Sequence, residues 1–230
     1  MAGTQTIIQT PTPDIVISRD FYLRLGYRVV SEKSPLVQTD GNFLVEINPE
    51  RTARKGIKII REDCDELAVK IGRLSNVVET ERGFLVSDPN GVFVFVESDP
   101  HEFQITGDSS GLTGNFAGVS IESTDLGASS EFWQMLGFEK SSGEETQGWI
   151  SFSDGNGIEI SLMKTGMCPH LFSSPGLNFF NSGKNLENIN AIREAGIAFA
   201  EEISIFNKEG IADNAILVDP GGLMFFVFND

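Results

Sequence analysis

The chain has 230 residues and a formal charge of −16, from 17 Lys and Arg against 33 Asp and Glu. Its 40% hydrophobic and 22% charged residues make a globular composition, long enough for one large or two small domains with real cores. With no cluster of Lys and Arg, the acidic balance argues against nucleic acid as a partner and against an anionic membrane surface.

Two cysteines, Cys64 and Cys168, lie far apart without CxxC spacing, which predicts no disulfide framework and a reduced, cytoplasmic compartment. The polar N-terminus MAGTQTIIQTPTPD lacks the charged and apolar regions of a signal peptide. No run approaches the roughly 18 apolar residues of a membrane span. Eighteen phenylalanines against two tyrosines and two tryptophans point to walls of plain aromatic ring.

In chain order, the pattern predicts a strand over residues 5–9, then a helix capped by Asp14 with Ile17, Phe21 and Leu25 inward. Gly26 takes the left-handed position that ends that helix. Strands follow at 27–31, 36–40 and 43–48. Next come a strand at 56–61, a helix at 63–74 with Leu67, Ile71 and Leu74 inward, and strands at 77–79, 83–87 and 92–97. A polar, Gly/Ser-rich linker covers 99–114. A strand at 116–123 and a helix carrying Asp125, Ala128, Phe132, Leu136 and Gly137 open the second half. Strands at 138–142, 149–153 and 157–163 follow, then strand 176–181, helix 185–195 and strands 197–201, 212–218 and 223–228.

The second half repeats the first. DIVISRDFYLRLGY (14–27) aligns with DLGASSEFWQMLGF (125–138), so Phe21 meets Phe132 and Tyr22 meets Trp133. SDPNGVFVFVES (87–98) aligns with VDPGGLMFFVFND (218–230), pairing Asp88 with Asp219, and both halves carry a DGN. The second copy holds about twenty more residues, mostly around 164–175 and 203–210. The chain therefore reads as α+β, with four βαβββ units in two domains, 1–98 and 115–230.

Four such units, an FYLRLGY/FWQMLGF helix end and a DPNG/DPGG turn before the last strand resemble the vicinal oxygen chelate superfamily of glyoxalases, bleomycin-resistance proteins and extradiol dioxygenases, in its tandem two-domain form. The resemblance covers nearly the whole chain. It implies glyoxalase-like domains with curved mixed sheets, helices on their outer faces and a cup on the other side. It also implies a divalent metal in catalytic members, because such an ion needs three or four convergent N/O donors. Carried over residue by residue, the metal positions fall on Ile7 and Gly118, Gly56 and Gly176, and Phe95 and Phe226. Only the fourth-strand carboxylates, Glu46 and Glu159, survive, and one carboxylate per cup is too few. The expectation is no metal and no cofactor.

Strand alternation then assigns the cup faces. Phe93, Phe95, Glu97, Leu44, Glu46, Asn48, Lys58 and Ile60 face one cup. Met224, Phe226, Phe228, Gly157, Glu159, Ser161, Met163, Asn178 and Phe180 face the other, and glycines 56, 118, 157 and 176 lie at the floors. Lys58, Phe93, Phe95, Asn178, Phe180, Phe226 and Phe228 are the expected ligand contacts. Glu46 and Glu159 are the candidate catalytic bases if burial raises their pKa, or else ion-pair partners of a lysine such as Lys58. Cys64, at a helix start, reads as a packed thiol before an activated one, His170 as a surface or lid residue, and His101 as a linker residue. Two functions follow: a binding protein for a small aromatic or cationic molecule, or a lyase or dioxygenase-type enzyme using those glutamates or an atypical metal site. A tandem chain forms internally what single-domain relatives form by dimerising, so the expected state is a monomer, with a dimer as the alternative.

Overall fold

The computed structural model describes residues 4–99, 103–105 and 111–229. The first copy begins with strand β1 (Gln5–Pro11), helix α1 (Ile15–Arg24), β2 (Arg28–Ser31), β3 (Leu36–Thr39) and β4 (Leu44–Asn48). It continues with β5 (Gly56–Ile60), α2 (Cys64–Ile71), β6 (Val78–Thr80), β7 (Gly83–Ser87) and β8 (Phe93–Glu97). The second copy has β9 (Phe116–Ser123), α3 (Leu126–Met135), β10 (Glu139–Glu144), β11 (Trp149–Ser153) and β12 (Glu159–Lys164). It closes with β13 (Gly176–Phe180), α4 (Asn185–Glu194), β14 (Glu201–Ile203), β15 (Asn214–Val218) and β16 (Met224–Phe228).

Each copy forms one eight-stranded mixed sheet, in the orders β2-β3-β4-β1-β5-β8-β7-β6 and β10-β11-β12-β9-β13-β16-β15-β14. Units one and two therefore share a sheet, as do units three and four, with the opening strands of each pair antiparallel at the centre. The helices start as the sequence predicts. Asp14 accepts hydrogen bonds from the Val16 and Ile17 amides, and Asp125 from that of Ala128. Gly26 (φ 88°) and Gly137 (φ 100°) turn the chain out of each helix in the left-handed region.

Several inward assignments change. Ile17 and Leu74 are 58% and 37% exposed, and Ala128 is exposed as well. The buried stripe of α1 is instead Ser18, Phe21, Tyr22 and Leu25, because docking against both copies, rather than a single i, i+4 row, sets its inner face. Helix α2 ends at Ile71, so Leu74 lies beyond it. The strand expected at 197–201 forms later, as β14, after a turn. Gly157 lies in the turn before β12 (φ 105°), with open space where a side chain would be, and is not a floor residue.

One core cluster joins the helix-bearing faces of both sheets, running from Ile8, Val45 and Val94 to Val119, Leu177 and Phe225. The copies grip each other reciprocally across it. Tyr22 of the first donates a 2.9 Å hydrogen bond to Asp219 of the second, which also accepts one of 2.8 Å from Thr10. In the mirrored place, Trp133 of the second lies against Asp88 of the first. Burial raises the pKa of Asp88, and the nearby indole, which makes no full hydrogen bond, pulls weakly the other way. The repeated helix end and the repeated Asp-Pro turn thus approach each other in both places, with a hydrogen bond in the first and none in the second.

Candidate functional site

The non-helical faces of the two sheets have become different places. In the first copy the floor rows follow from the register: Glu46 opposes Val37 on one side and Gln9 on the other, Gln9 opposes Gly56, and Gly56 opposes Phe93. The neighbouring row runs Ile7, Lys58, Phe95. Lys58 is 4% exposed and donates to both carboxylate oxygens of Glu46 at 2.8 Å. It lies 3.4 Å from Glu97, which Arg82 holds at 3.1 Å while also reaching Asp99 at 2.9 Å. Burial raises the pKa of Glu46, and the Lys58 charge pulls the other way. This ion cluster divides the cup into spaces of about 400 and 380 Å³. Phe95 lines the smaller beside Gln9 and Asn48.

In the second copy the cup holds a larger cavity of about 670 Å³. Its floor is polar: Asn178 donates to Ser120, and Ser161 bonds Ser151 at 2.7 Å. Its sides are aromatic. Phe226 stacks on Phe172 (centroids 5.2 Å, 25°) and meets Phe228 edge-on at 5.7 Å. Phe180 and Trp149, 41% and 38% exposed, stand at the mouth. Among the described residues Asp213 is the charged lining residue, and no Lys or Arg lines this cavity. The two insertions supply one wall, through Met167, Cys168, His170 and Phe172 from the first and Phe206 from the second. The first is pinned where the Gly166 amide donates to Glu122 (3.0 Å) and the Glu122 amide donates to Ser174 Oγ (3.0 Å).

The expected contacts therefore separate. Asn178, Phe180, Phe226 and Phe228 converge on the second cavity, while Lys58 and Phe95 belong to the first cup. Phe93 lies in register with Gly56. Glu159 is not among the residues that line the cavity and accepts a 2.7 Å hydrogen bond from Ser141. Cys64 is buried, its thiol donates to Arg61 O, and burial raises its pKa, so it is packed rather than activated. His101 lies outside the described residues. His170 is not a surface residue. Its side chain is 6% exposed, and Nδ1 lies 3.2 Å from a carboxylate oxygen of Glu201. The sequence offered one signal for it, its place in an insertion unique to the second copy.

The metal positions implied by the resemblance fail a steric test. A Cβ on Gly56 would lie 2.2 Å from Phe93 O, and one on Gly118 2.6 Å from Glu159 O. On Gly176 it would lie 2.5 Å from the Phe226 ring. The strands close over the places where ligand side chains would start, and among the described residues no three His, Cys, Asp or Glu side chains converge. These residues do not fit the superfamily's divalent ion.

No family model and no curated protein matches this sequence. Solved structures match it throughout. A variant of 4-hydroxymandelate synthase from Streptomyces coelicolor aligns over 97% of this chain and 91% of its own, at 13% identity and TM-score 0.60. The Mn(II)-bound glyoxalase from Novosphingobium aromaticivorans aligns over 97% and 80%, at 16% identity and TM-score 0.59. The halotolerant catechol dioxygenase BphC aligns over 99% and 86%, at 13% identity and TM-score 0.55. The chain thus has, over its length, the tandem βαβββ fold of these glyoxalase and dioxygenase structures. Among the described residues no helix is long and apolar enough to cross a membrane.

Proposed function

We propose that this protein binds a small, flat aromatic molecule, neutral or cationic, in the cup of its second copy. The observation that carries the reading is the cavity of about 670 Å³, walled by Phe172, Phe226 and Phe228, with Asp213 as its charged lining residue. Its volume lies within the range of small-molecule sites. Ring faces attract flat ligands by stacking and cations through their quadrupoles, and an acidic lining repels anions. The first cup, divided into two smaller and more polar spaces by the Lys58 cluster, serves as a brace.

The enzyme reading, with Glu46 or Glu159 as base, rests on the raised pKa of Glu46 alone. Glu46 is held by Lys58 and Glu159 by Ser141, so neither presents a free carboxylate to the large cavity. Binding is the function we adopt.

Trp149, at the cavity mouth, provides the assay. Titration with a panel of neutral, cationic and anionic aromatics should quench its fluorescence for the first two classes, and Trp149→Phe should abolish the signal while calorimetry still detects binding. Phe226→Ala should weaken binding by roughly tenfold, about 1.4 kcal/mol. Tight binding of anionic aromatics, or unchanged affinity in Phe226→Ala, would refute the proposal.

A further inference from the structure

We infer that His170 is the polar anchor of this cavity, accepting a hydrogen bond from an N–H or O–H group on the ligand's ring. The inference rests on the aromatic-ligand reading and narrows it to one chemical class, aromatic rings bearing a hydrogen-bond donor.

Glu201 fixes the tautomer. Its two carboxylate oxygens face His170 Nδ1 (3.2 Å) and the Leu171 amide (3.1 Å), so both ring and backbone of this segment are held against β14. A carboxylate only accepts, so in the neutral imidazole the proton sits on Nδ1 and the lone pair on Nε2. That Nε2 is buried and has no hydrogen-bond partner among the described residues. A buried acceptor left unmatched is a standing cost to the folded state, and here it sits in a cavity wall rather than in the core. The imidazole meets Phe206 at 5.6 Å and Phe228 at 6.0 Å, both edge-on, and both rings line the same cavity. Phe206 is 61% exposed and stands on the second insertion. Of the two rings edge-on to the imidazole, Phe206 is the more exposed, so little packing opposes its shifting to let a ligand donor reach Nε2. A ring donor satisfies the orphaned nitrogen, whereas the same ring with its donor methylated leaves it unmatched and adds a clash.

The test uses the full chain and two matched pairs, indole against its N-methyl derivative and a naphthol against its methyl ether, so that the N–H and O–H arms are read separately by calorimetry. The wild type should bind at least one donor-bearing member roughly tenfold more tightly than its methylated partner. His170→Phe, which keeps an aromatic ring at the site, should bring that ratio close to one while the methylated probes still bind; their binding also reports that the variant is folded. In Glu201→Gln the side-chain amide can donate to Nδ1 and move the proton to Nε2, so the preference for donors should collapse with the ring still in place. A ratio near one in the wild type, or a ratio unchanged in either variant, overturns the inference and leaves the aromatic-ligand reading standing. Failure of every probe to bind the wild type overturns both.

Discussion

Lys58→Met tests whether the first cup is a brace rather than a binding site. Lys58 and Glu46 are each 4% exposed, and the ammonium meets both Glu46 oxygens at 2.8 Å. Methionine matches the volume of the stem but leaves the Glu46 carboxylate buried without its cation. Breaking a buried pair from one side costs about 3–5 kcal/mol. In a chain of this length that lowers the melting temperature by on the order of 10 °C. Glu97 keeps Arg82 as a partner, so the loss concentrates on Glu46. The pH dependence has a definite sign. Burial already raises the Glu46 pKa against the pull of Lys58, and removing Lys58 raises it further. A carboxyl with a raised folded pKa contributes most below its unfolded value, near 4.3, and loses that contribution as pH rises. The cost of Lys58→Met should therefore be larger at pH 7 than at pH 5. Replacing both partners, Lys58→Met with Glu46→Leu, should recover most of the loss, since a well-packed apolar pair often matches a buried ion pair. Urea unfolding of the three variants at both pH values is the assay. A cost below about 1 kcal/mol for the single variant, or a double variant no more stable than the single, would refute the buried-cluster reasoning.

Tyr22→Phe removes one donor from the buried Asp219 and should cost about 1.5–3 kcal/mol, read by denaturant unfolding. Gly221→Ala should destabilise by roughly 1–3 kcal/mol or more, because its Cβ would fall 2.0 Å from Pro11 O in the other copy; thermal melting reads it. Burial raises the carboxyl pKa values of Asp40, Asp88 and Asp219. Their contribution to stability is complete below the unfolded value near 3.9 and is lost as pH rises through the folded values, so Asp219→Asn should flatten that slope in a pH series of unfolding curves.

The architecture was legible because it is periodic and duplicated. Strand alternation placed Phe226, Phe228 and Asn178 on one face correctly, since neighbours along a strand point to opposite sides whatever the tertiary context. The floor rows were not legible. The positions carried over from the resemblance grouped Ile7 with Gly56 and Phe95, whereas the register sets Ile7 against Lys58 and Gly56 against Gln9 and Phe93. Pairing between strands distant in sequence is fixed by the whole sheet, and no local pattern reports it. His170 could be read only as a surface or lid residue for a related reason: whether a loop histidine meets solvent or a cavity depends on where a second loop, carrying Phe206, comes to rest. Ile17 and Leu74 were placed inside from helical spacing alone; docking of the copies sets the inner face of α1, and α2 ends at Ile71 before reaching Leu74.

The handshake of Tyr22 with Asp219 and of Trp133 with Asp88 lies wholly on the helical side of the molecule. That clasp is separate from the concave faces, and Lys55 of the first copy adds a second tie, to Ser173 on the insertion that walls the larger cavity. One hollow can therefore be crossed by charges while the other is widened and walled by insertions, and the clasp on the helical side stays the same. Selection for a new cargo would act on an outer surface that the architecture does not need.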